Sequence, residues 1–70
     1  MQGGDLRRAV QLAEQAVLAE PQNAGYHVTL GEVCLAAKLF ARAAGEATRA
    51  LAITPNDERG KALAAAAKKR

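Results

Sequence analysis

At 70 residues, half of them apolar but with only one Phe and one Tyr, the chain has room for one small domain with a thin core. The single cysteine rules out an internal disulfide, one His plus one Cys falls short of a zinc ligand set, and the longest apolar run, 62–67, is too short to cross a bilayer. The formal charge is +3, and it gathers in residues 57–70, where Arg59, Lys61, Lys68, Lys69 and Arg70 outweigh Asp57 and Glu58.

The first predicted helix covers residues 5–19. Leu6, Ala9, Val10, Ala13, Ala16 and Val17 recur at helical spacing and form one apolar face. Asp5 stands at its start, where it caps the helix or meets the positive pole. Pro21 stops continuation, and Gln22-Asn23 makes the turn. The second helix covers 24–37, with Asn23 as N-cap. Val28, Leu30, Val33, Cys34 and Ala37 supply its buried side. Gly31 costs helix propensity, so close approach of the paired helix is its expected reason. The third helix, 40–53, has a stripe of Phe40, Ala43, Ala44, Ala47, Ala50, Leu51 and Ile53. Gly45 is a soft spot on its exposed side, and Pro55 closes it. The fourth helix, 57–68, carries Asp57 and Glu58 at its positive pole and Lys68, Lys69 and Arg70 at the other, which matches the macrodipole at both ends. It reads as a polar-ended cap over the edge of the stack. Loops of three to five residues force antiparallel neighbours.

The first and third of these helices echo one another at an offset of 34. Arg8/Arg42, Ala9/Ala43, Ala13/Ala47, Ala16/Ala50 and Pro21/Pro55 are identical, while Leu6/Phe40 and Val17/Leu51 are similar. A fixed period of this size marks an array of helical hairpins. With Leu30-Gly31 followed by Ala43, Ala47, Ala50 and Pro55, the chain resembles the tetratricopeptide repeat family. One full repeat spans 24–57, residues 1–23 resemble the second helix of a preceding repeat, and 58–70 resemble the first helix of a following one. His27, Cys34 and Ala47 depart from the aromatics usual in the family, which implies an alanine-lined core. The resemblance implies an all-α fold, with antiparallel hairpins stacked as a short right-handed solenoid fragment in a single domain, 1–70. A chain that opens in mid-repeat is expected to be a piece of a longer protein.

No residue set points to catalysis. Cys34 and His27 lie about 10 Å apart along one helix, too far for a nucleophile and its base. Both read as packing residues. Gly3-Gly4 lacks the strand, Lys and Ser/Thr of a phosphate loop, and Asp57-Glu58 point to different sides. No enzyme activity, metal or cofactor is expected. The resemblance implies a non-catalytic protein-interaction module, a scaffold or adaptor that takes a peptide or partner helix in a groove between the second and fourth helices. Carried over, the groove residues are Gly25, Val28, Thr29, Glu32, Leu35 and Ala36, with Arg59, Ala62, Leu63 and Ala66 opposite. A chaperone-binding subset of the family clamps a terminal carboxylate with Lys, Asn and Arg. Val28, Glu32 and Leu63 stand at those positions here, so that clamp is absent from this sequence.

Two other readings compete. If its own first helix is missing, the first predicted helix leaves apolar surface uncovered, and self-association through that face follows. The basic tail suggests nucleic-acid contact, but three terminal charges give little counterion release. An unpaired cysteine and a charged amphipathic start without a signal peptide point to a cytoplasmic location. The Ala and Arg content suggests a bacterial source.

Overall fold

The computed structural model describes residues 2–69, with side chains from 5 to 68. Four helices follow one another: α1 (Gln2–Ala19), α2 (Ala24–Ala36), α3 (Phe40–Ile53) and α4 (Glu58–Lys69). No strand occurs among the described residues. Arg70 and the side chain of Lys69, both part of the expected basic tail, lie outside them. The extents are 36 × 30 × 15 Å, a slab of packed helices. α2 is the hub, packing on α1, α3 and α4, and α3 also packs on α4.

The punctuation follows the local chemistry. Asn23 sits in extended backbone, and its side chain accepts from the Tyr26 amide at 3.1 Å, the expected N-cap of α2. Asp57 does the same for α4, where its Oδ1 accepts from the amides of Arg59 and Gly60. α2 ends in a pair of tightening bonds, Leu39 N–H to the Cys34 carbonyl and Lys38 N–H to the Leu35 carbonyl. Lys38 takes the left-handed conformation this closure needs (φ 66°), a position usually given to glycine. α2 differs from expectation by one residue at its end, α4 by one at each end, and α1 by three at its start. α1 begins at Gln2 rather than at residue 5, so Asp5 lies in its first turn and serves the helix pole rather than acting as a cap.

The core is built mostly from small side chains. Ala43, Ala47 and Ala50 of α3 are fully buried, as are Val28 and Cys34 of α2. Val10 and Ala13 of α1 join them from one side, and Leu63 and Ala67 of α4 from the other. Gly31 is buried where α2 meets both α3 and α4. A Cβ there would collide with Leu63 Cδ2 and lie 3.3 Å from the Cβ of Glu46. Close approach was the expected reason for this glycine. The tightest neighbour proves to be a side chain of α4, with α3 next to it.

Candidate functional site

Two surfaces and one buried polar pair compete for a functional role. The expected surface lies between α2 and α4. Gly25, Thr29, Glu32 and Ala36 are exposed on α2, with Leu35 partly covered, while Arg59 and Ala62 are exposed on α4 and Ala66 is partly buried. Arg59 Nη2 donates to Glu32 Oε1 at 2.9 Å and so ties the two helices across this face. Both side chains are at least half exposed, so the pair adds little stability, and the two charges are available to a partner. Two of the expected groove residues are placed elsewhere. Val28 is fully buried and Leu63 is 3% exposed, because the helix spacing that puts them near the face also puts them under it, against α3 and Gly31. They support the surface from below and offer a partner no contact. A charge at position 28 would therefore report on the core rather than on the groove.

The second feature, a buried polar pair, was not among the expectations from the sequence. His27 and Glu46 are both buried, and His27 Nδ1 lies 2.7 Å from Glu46 Oε1. His27 Nε2 lies 2.7 Å from the Pro21 carbonyl oxygen. A carbonyl can only accept, so Nε2 carries a proton and donates it. A further proton is then held between Nδ1 and Oε1. This unit joins the α1–α2 turn, α2 and α3. Arg49 adds a looser contact, with Nη1 3.8 Å from Glu46 Oε2. A lone glutamate within a run of alanines reads as exposed. Its position three residues after Ala43 and four before Ala50, on the same helix face, was the signal that it faces inward.

Cys34 is fully buried in the core cluster. Burial pushes its thiol pKa up, against the opposing pull of the Arg42 guanidinium, and so disfavours the thiolate a nucleophile needs. Among the described residues, no three His, Cys, Asp or Glu side chains gather as a metal set, and no helix is long and apolar enough to cross a membrane.

The second surface lies on the other side of the stack, between α1 and α3. Two hollows of about 480 and 440 Å³ open there. The first is walled by Val17, Leu18, Pro21, Arg49 and Ile53, with the His27 ring among its lining. The second is walled by Leu6, Arg7, Val10, Glu14, Leu39 and Arg42. Arg42 donates to Glu14 across the space between the helices, and that bond holds the guanidinium all the more firmly protonated.

Compared with known proteins, the chain matches the family model described as tetratricopeptide repeat over residues 1–67. No curated protein and no solved structure matches it.

Proposed function

The chain belongs to the tetratricopeptide repeat family, and from that membership we propose that it is a protein-interaction module whose α2–α4 face receives a peptide or a partner helix. Repeats of this family typically bind other proteins and act as scaffolds rather than catalysts. In this reading 24–57 is a full repeat flanked by half repeats at 1–23 and 58–70. The observation that carries it is the Glu32–Arg59 pair, which sets two opposite, half-exposed charges side by side among small residues. Gly25, Thr29, Ala36 and Ala62 around them leave room for a backbone to approach, and the pair offers one acceptor and one donor to a partner's own polar groups.

Peptides selected from a random display library against the full chain would test this. Their binding is expected to fall about tenfold or more on Glu32→Arg or Arg59→Glu, with the helical circular dichroism signal unchanged. Peptides that bind both variants as well as the parent would remove the α2–α4 face from consideration.

A second reading is carried by Leu12. It is 58% exposed on α1, while Glu46, its counterpart on α3, is buried against α2. Leu12, Ala9 and Ala16 would then be the face on which a second copy sits. Light scattering across a concentration range is expected to show a mass that rises for the parent chain and stays monomeric for Leu12→Glu. A parent that stays monomeric at high concentration would remove this reading.

A further inference from the structure

The channel between α1 and α3 belongs to neither of these readings. Apolar side chains line both of its hollows, Leu6 and Val10 in one and Val17 and Ile53 in the other, with Gln11, Gln22 and His27 among them. Leu18 (78% exposed) and Leu39 (41%), two of the large apolar side chains left most open to water, each flank one of its two hollows. Holding both in water has a cost that a docked apolar surface would relieve.

The rim has a sign. Arg7, Arg42 and Arg49 line the two hollows, and the one carboxylate lining them, Glu14, is already engaged by Arg42. Arg49 is 68% exposed, and its nearest anion is the distant oxygen of buried Glu46. A cationic rim over hollows lined by apolar side chains suits an occupant that is acidic outside its anchors.

The spacing has a period. Arg42 lines one hollow and Arg49, Ala52 and Ile53 line the other, 7 to 11 residues further along the same helix, or about 10–17 Å at 1.5 Å per residue. Apolar side chains at i and i+7 of a bound helix are about 10 Å apart along its axis, enough to reach the near edges of both hollows.

We propose that the α1–α3 channel is a docking site for an acidic amphipathic helix that seats two apolar side chains, at i and i+7, in the two hollows. The arginines at the rim orient it by charge, and Leu18 and Leu39 close over its anchors. The occupant is a peptide rather than a phosphate backbone, because Leu6, Val10, Val17, Leu18 and Ile53 line the hollows beside the arginines and call for apolar side chains that a phosphate backbone lacks.

The test uses the full chain and a fluorescein-labelled synthetic helix of Glu and Ala carrying Leu at positions 4 and 11, read by anisotropy. The peptide is expected to bind, with affinity falling as salt rises. It should weaken about tenfold or more on Leu18→Ser and on Arg49→Ala, both exposed positions whose replacement leaves the helical signal intact. Exchange of both peptide leucines for alanine, or of its glutamates for lysine, should abolish binding. Glu32→Arg should leave it unchanged, since that residue belongs to the α2–α4 face. Any of four results overturns the proposal: no binding, equal binding of the lysine peptide, binding lost on Glu32→Arg but kept on Arg49→Ala, or displacement by a single-stranded oligonucleotide of equal charge.

Discussion

Glu46→Ala is expected to cost about 2–3 kcal/mol, the penalty for stranding a buried polar group that had a strong partner. For a domain of this size that is a drop of roughly 10–20 °C in melting temperature. The reason is the place of Glu46 rather than its charge. It is 7% exposed, and its partner His27 is 4% exposed. With Glu46 gone, the buried His27 Nδ1 loses its partner while Nε2 is still held by the Pro21 carbonyl. His27→Leu should cost a similar amount, because it strands the carboxylate. The double variant His27→Leu/Glu46→Leu should lose clearly less than the two single losses added together, since it leaves neither an unpaired imidazole nor a stranded carboxylate, and the Pro21 carbonyl that loses its donor belongs to an exposed residue of the turn. Thermal melts of the four proteins decide this. Additive losses would mean that the two residues do not act as a unit.

Gly31→Val is expected to cost about 2–3 kcal/mol by overpacking. Valine recovers part of glycine's helix penalty, but its first added carbon meets Leu63, which is itself held in the core at 3% exposure. Gly45 supplies the contrast on the neighbouring helix. Nothing lies within 4 Å of a Cβ built there. Gly45→Ala should therefore stabilise the domain by about 0.5–1 kcal/mol, the ordinary gain of alanine over glycine in a helix. The two variants are to be compared by urea denaturation. If both glycines respond with the same sign, α4 does not press on α2 through Leu63.

The helices themselves were legible because their causes are local. Asn23 caps α2 through its own side chain, Pro21 and Pro55 forbid continuation, and the 34-residue echo shows that two stretches do the same job. The ends were read less well. Asp5 suggested a start that the chain passes by three residues, since an acidic residue favours the whole first turn and not one position within it.

The proposed α2–α4 face was half legible. Thr29, Glu32, Ala36 and Arg59 are at the surface where the family resemblance put them, but Val28 and Leu63 are beneath it. Helix spacing gives the angle at which a side chain leaves its own axis. It does not say which neighbour covers that angle. α2 touches three helices, so little of its circumference is left open, and neighbouring positions on it alternate between core and surface.

By itself, then, the sequence determined four helices, their order, their antiparallel turns and their membership of a repeat family. Those follow from periodicity, capping and turn chemistry, which act over a few residues. Only the tertiary structure decided that Glu46 and His27 meet inside, that Gly31 makes room for Leu63, and that two hollows open between α1 and α3. These depend on residues 19 to 32 positions apart coming into contact. The physical reason is that burial and pairing belong to the space between helices, and that space exists only once they are packed.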